Sequence, residues 1–182
     1  MTTVTTLPHG RPLTRADLEL MPDDGHKYEL LDGVLVVSPA PRTRHQEVVG
    51  GLYVLLRENR PADLKVLFSP VDVVLAEDTV LQPDLLVAPR EQFTDRDLPG
   101  APLLAVEVLS PSTRRFDLLL KRDRFQSAGV RSYWLVDPDV PSVTVLELQD
   151  RVYAEVAHVE GAESCDVLLP YPMTIVPEQL LD

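Results

Sequence analysis

The chain is short of cysteine, of long apolar runs and of basic residues. A single cysteine, Cys165, excludes an intramolecular disulfide and any cysteine-based zinc cage. No uninterrupted run of about 18 apolar residues occurs, so no membrane-crossing helix is expected. The opening MTTVTTLPHGRPLT has neither the basic start nor the apolar core of a signal peptide. A soluble protein of the reducing cytoplasm fits these absences. Bases are also scarce: 17 Lys and Arg face 29 Asp and Glu, a net charge of -12. That balance opposes diffuse attraction to a polyanion and counts against a simple DNA-binding module. It leaves a nuclease open, because a bound metal supplies local positive charge. The 8 glycines are outnumbered by 17 prolines, which predicts short, stiff connections spaced for strands rather than for a helical bundle. No linker or internal repeat divides the 182 residues, so we expect one domain over 1–182, with 1–25 as a peripheral segment.

What is present centres on two apolar runs that each carry one carboxylate. TVLQPDLLVAP holds Asp84, and PLLAVEVLSPST holds Glu107. Runs rich in Val and Leu between Pro and Gly read as strands covered on both faces. A buried acid is costly unless something pairs it or binds to it. Two such acids in adjacent strands invite a metal ion.

Around them, Thr14 with Asp17 three residues on predicts a capped helix over Arg15 to Met21, stopped by Pro22. Asp32-Gly33 inside KYELLDGVLVVSP predicts a hairpin, with Glu29 just before its turn. Val48, Val49, Leu52, Leu55 and Leu56 follow helical spacing, giving a long helix from Arg42 to about Asn59. His45 and Glu47 lie in its opening turns, about 200° apart around the axis, and so should not share a pocket. Gly50-Gly51 reads as close packing of this helix on the sheet. KVLFSPVDVVLAED predicts an extended segment broken at Pro70. Arg90 to Pro102 reads as an exposed, flexible flap. A second long helix follows Glu107, with Ser112 or Thr113 as cap and Gly129 as stop. SYWLVDP, SVTVLEL and RVYAEVAHV are further strands, in which Tyr133 and Trp134 alternate between surface and core. This order of elements predicts an α/β sandwich with a mixed sheet.

On the second helix Leu118, Lys121 and Phe125 share a face. Lys121 then either turns inward to Glu107 or forms an exposed pair with Asp117, worth about 0.3 to 0.5 kcal/mol. Asp117 would position Lys121 or pair with Arg114.

Pro83-Asp84, the Glu107 strand and a lysine on the next helix resemble the PD-(D/E)xK nuclease superfamily. YELLDGVL, His45, QPDLLV, AVEVLSPST and KRDRFQSAGVRSYWLVDP resemble more narrowly the Uma family of endonucleases. The resemblance runs from about Tyr28 to Pro138. It implies a restriction-endonuclease-like fold of α/β (α+β) class: a central mixed β-sheet flanked by helices, with additional N-terminal and C-terminal strands. It implies Mg²⁺ or Mn²⁺ held by Asp84, Glu107 and the Val108 backbone carbonyl, and hydrolysis of phosphodiester bonds, in DNA before RNA. The superfamily lysine two residues after the second acid is here Leu109, which makes Lys121 the migrated equivalent, orienting water or stabilising phosphate charge. Glu29 and His45 complete the implied catalytic set. A homodimer would suit double-strand cleavage, and an accessory protein could supply DNA contacts. Two other classes stay open: a catalytically idle binding or regulatory protein of the same fold, and a hydrolase of a smaller phosphodiester. Clustering of Arg42, Arg44, Lys65, Arg114 and Arg115 around the acids would favour a polynucleotide track.

Overall fold

The computed structural model describes residues 7–8, 10–111 and 114–181. The capping box forms: the Asp17 carboxylate accepts the Thr14 N–H at 2.8 Å and the Thr14 hydroxyl at 3.0 Å. The helix behind it, α1 (Arg15–Leu18), is shorter than expected and finishes as turns to Met21. Strands β1 (Lys27–Leu31) and β2 (Val34–Ser38) pair antiparallel, with Leu31 opposite Val34. The two-residue turn between them has Asp32 and Gly33 both at positive φ, as a tight hairpin of this hand requires.

Helix α2 (Thr43–Asn59) buries Val48, Val49, Leu52 and Leu56 along one stripe, as the spacing predicts. Its Gly51 packs closely, but against the C-terminal turn rather than the sheet. A Cβ there would lie 2.7 Å from the Leu180 carbonyl oxygen, whereas one on Gly50 would meet nothing within 4 Å. Gly51→Ala should therefore cost about 1–3 kcal/mol by overpacking, and Gly50→Ala should gain up to about 1 kcal/mol from helix propensity. Urea unfolding of the two variants checks this pair of opposite signs.

Next come β3 (Leu64–Phe68), β4 (Asp72–Ala76), β5 (Thr79–Leu81), β6 (Leu85–Pro89), β7 (Asp97–Pro99) and β8 (Leu104–Val108). The apolar stretch over 79–89 is thus two strands, not one, and Asp84 precedes β6 instead of lying within it. The expected exposed flap holds for 90–96 but is corrected beyond: β7 pairs parallel with β4, Asp97 is buried, and its carboxylate takes the Arg15 guanidinium. A six-residue π-helical segment, Phe116–Lys121, runs into α3 (Arg122–Ala128), which Gly129 ends in a left-handed conformation. The expected cap at Ser112 or Thr113 lies outside the described residues. Strands β9 (Ser132–Asp137), β10 (Ser142–Gln149), β11 (Val152–Glu160), β12 (Cys165–Val167) and β13 (Met173–Ile175) complete the chain before a short 3₁₀ turn, Pro177–Leu180.

The six-stranded sheet has the order β11-β10-β9-β8-β6-β3, and β8 and β9 are its parallel pair. A five-stranded sheet, β2-β1-β5-β4-β7, lies beside it, and β12-β13 forms a third. Both faces of the larger sheet are covered. Trp134 joins Val106, Leu85 and the α2 stripe on one face, and Tyr133 joins Ala105, Phe125, Leu31 and Leu81 on the other. Tyr133 is consequently as buried as Trp134, not a surface residue. This coverage explains why β6 and β8 are almost wholly apolar. The chain passes from the smaller sheet to the larger through Gln82, Pro83 and Asp84. That crossing positions everything described below.

Candidate active site

Antiparallel pairing sets Leu85 opposite Val106, and one further step along the register brings Asp84 beside Glu107. Asp84 lies just beyond the strand end, so its carboxylate can accept the Val108 N–H, Oδ2 to nitrogen 2.8 Å. The same oxygen is 3.1 Å from His45 Nε2 in the first turns of α2. Its other oxygen lies 3.5 Å from Lys27 Nζ. Glu29, on the inward face of β1, accepts the Gln82 backbone N–H at 2.7 Å.

Lys121 turns inward and ties these acids together. Its Nζ is 2.8 Å from Glu29 Oε1, 3.0 Å from Glu107 Oε1 and 3.8 Å from Asp117 Oδ1. The inward reading of Lys121 is met, and the exposed pair with Asp117 is corrected: that contact forms, but buried. Each of these four side chains is at most 3% exposed. The π-helical turn carries both Asp117 and Lys121 inward, and the buried Tyr133 hydroxyl donates to the Asp117 carbonyl at 3.0 Å. Arg114 meets Asp137 Oδ2 at 2.5 Å.

The electrostatics follow from burial. Desolvation raises the Glu107 carboxyl well above the ordinary range; Lys121 counters this, while Asp117 and Asp84 add to it. Burial opposes the charge on Lys121 too, but Glu107, Glu29, Asp117 and Asp84 outweigh it and raise its pKa. At Asp84 burial is overcome by Lys27, by the His45 hydrogen bond and charge, and by Lys121, so this carboxyl falls well below the usual range. Four carboxylates, Glu29, Asp84, Glu107 and Asp117, thus face two ammonium groups, Lys27 and Lys121. Acidic side chains therefore outnumber the ammonium groups at this point of the fold.

The cluster floors a cleft of about 750 Å³, bordered also by Val108, Ser110 and Arg42, and by Leu18 and Met21 from the N-terminal segment. Of the residues singled out in the sequence, Glu29, His45, Asp84, Glu107, Val108 and Lys121 all converge here. Glu47 is exposed and outside it, as the helical angle requires. The bases divide. Arg42 reaches the cleft and Arg44 a shallow recess beside it, Lys65 lies over the Phe93 ring, and Arg115 is exposed. Sequence reasoning missed Lys27 and Gln82. Lys27 was discoverable, because it stands two residues before Glu29 on the same strand face. Gln82 acts through its backbone N–H, which leaves no signature in residue type.

Among the described residues no three His, Cys, Asp or Glu side chains form a ready-made cage. Mg²⁺ does not need one, since it is commonly held by one or two carboxylates together with waters and substrate phosphate. The hard oxygens of Asp84 and Glu107, in a cluster with more carboxyl than ammonium groups, fit a divalent ion of this type.

Residues 15–175 match the model of the Uma2 family, described as "Putative restriction endonuclease". Among solved structures, the crystal structure of a putative nuclease belonging to DUF820 from Anabaena variabilis is similar, with a TM-score of 0.71 at 18% identity. The match covers 93% of this chain and 98% of that one. No curated protein matches. The mixed sheet with its flanking helices is the restriction-endonuclease-like fold.

Proposed function

Since the chain belongs to the Uma2 family of putative restriction endonucleases, we propose that its cleft hydrolyses phosphodiester bonds in DNA with the aid of Mg²⁺ or Mn²⁺. The observation that carries this reading is the meeting of Asp84 and Glu107 over a buried lysine, in a cluster where carboxyl groups outnumber ammonium groups. Asp84, Glu107 and the Val108 carbonyl would hold the ion. When bound, it supplies Lewis acidity and a water of lowered pKa.

The remaining work falls to the chain's own groups. The Val108 N–H aims Asp84, and Lys27 and His45 keep it ionised. Lys121 fixes the rotamers of Glu107 and Glu29 at hydrogen-bond distance. Burial at the cleft floor lowers the local dielectric and strengthens each of these interactions. With so little freedom left to reorganise, the acids present their oxygens already oriented.

Glu107 must lose its proton to bind an ion, and its pKa is raised. Metal affinity should therefore increase with pH as Glu107 deprotonates, and binding should release protons. Calorimetric titration of Mg²⁺ in two buffers of different ionisation enthalpy measures that release. Equal heats in both buffers would contradict the assignment of Glu107.

A smaller phosphodiester is the second reading, favoured by the division of the bases between the cleft and distant surfaces. Incubation with supercoiled DNA and, separately, with a dinucleotide separates the two. Metal-dependent nicking of the plasmid supports the endonuclease; turnover of the dinucleotide alone supports the alternative.

A further inference from the structure

Two lysines serve one acid cluster, and they are not equivalent. Lys121 is sealed: its side chain is 2% exposed, and two carboxylate oxygens stand within 3.0 Å of its Nζ. An incoming phosphate would have to displace Glu107 or Glu29 to reach it. Lys27 lies on the cleft side of β1, with its side chain 21% exposed. Its nearest carboxylate oxygens are Asp84 Oδ1 at 3.5 Å and Glu29 Oε2 at 4.0 Å. Both separations exceed the usual hydrogen-bond range, so its ammonium is attracted to the acids without its donors being committed to them. It borders the same cleft as Asp84, Glu107 and His45.

We infer that Lys27 is the group that receives the substrate phosphate, donating to a non-bridging oxygen beside Asp84, while Lys121 only positions the acids. The inference rests on the phosphodiesterase reading above and deepens it by assigning the substrate-contacting cation. The role suits lysine: a compact ammonium on a flexible stem swings a short distance between a carboxylate and a phosphate. The position suits it as well, since Glu29 and Asp84 hold the ammonium at the cleft floor before any substrate arrives. Family resemblance assigns this duty to Lys121, whose Nζ is already held by Glu29 and Glu107.

A phosphate contact has a signature that a structural lysine lacks. Each one contributes about 0.7 to 0.9 to the slope of log binding constant against log salt. A fluorescein-labelled DNA single strand and its duplex, with Ca²⁺ in place of Mg²⁺ to hold back turnover, are titrated by anisotropy between 50 and 200 mM salt, roughly the range where such slopes are read. For Lys27→Met the slope should fall by about one contact, binding should weaken several-fold on both DNAs, and KM should rise in the Mg²⁺ reaction. Lys27→Arg should keep the slope, and Lys65→Met, whose ammonium lies over Phe93, should match the parent. A Lys27→Met protein with a lower melting temperature and an unchanged slope would make the lysine a structural counter-charge for Asp84 and overturn the inference. If Lys27→Met does not fold, the slope measured for Lys27→Gln decides between the same two outcomes. A parent that neither binds nor nicks DNA would remove the underlying reading instead, and this assignment with it.

Discussion

Lys121→Met should lose about 3–5 kcal/mol of folding stability at neutral pH, the usual cost of removing one partner from a buried ionic cluster. The substitution takes the shared ammonium away from Glu29, Glu107 and Asp117, and a methionine of similar length fills the space but answers no charge. The pH dependence distinguishes this cause from a packing defect. In the parent the Lys121 pKa is raised by folding, so its contribution is complete below its ordinary value near 10.4 and fades only as pH climbs through the folded value. In the variant the buried acids take up protons that the unfolded chain releases. Its deficit should therefore shrink as pH falls from 7 towards 5. Urea unfolding at both pH values measures this. A loss below about 1 kcal/mol, in the range of a surface pair, would contradict the buried placement of the lysine.

Asp84→Ala and Glu107→Gln should each abolish metal-dependent cleavage, by at least about 10³-fold, the scale of losing a preorganised electrostatic group. Their effects on the metal-free fold should have opposite signs. Asp84 has a depressed pKa, so it contributes stability above its ordinary value near 3.9 that is lost as pH falls through the folded value. Its removal also strands the Val108 N–H, and the variant should be less stable than the parent at pH 7. Glu107 has a raised pKa, so its ionisation opposes folding as pH rises. Glu107→Gln removes that charge, keeps the shape and should melt a few degrees higher. Mg²⁺ should stabilise the parent and neither variant. Cleavage of supercoiled DNA with thermal melting, with and without Mg²⁺, tests the pair. Retained metal-dependent nicking in either variant would move the centre elsewhere.

These residues were legible in the sequence for a physical reason. An acid inside a fully apolar strand is an energetic anomaly, so Glu107 announces itself, and Asp84 stands out against Leu85–Val87. Lys121 shares a helix face with Phe125, which is enough to turn it inward whatever the exact helical pitch. The hairpin at Asp32-Gly33 and the stripe of α2 carry equally direct signals. What escaped were features decided by tertiary pairing. Nothing local says that 79–89 divides between two sheets, because both halves are equally apolar and Pro83 alone marks the passage. β7 is only three residues long, and its partner β4 lies more than twenty residues earlier. Tyr133 reads as half-buried until the second sheet and α3 cover its face. Gly51 gives no hint of a neighbour that the chain supplies at Leu180.

The burial of Lys121 among acids from β1 and β8 also bears on synthesis. On a ribosome the chain emerges from its N-terminus, so Lys27, Glu29, Asp84 and Glu107 leave the tunnel before the lysine that ties Glu29 to Glu107. Until it follows, closing the two sheets together would trap like charges in a dry interior. The dry form of the cleft thus depends on a residue that lies 14 positions beyond the last of these acids.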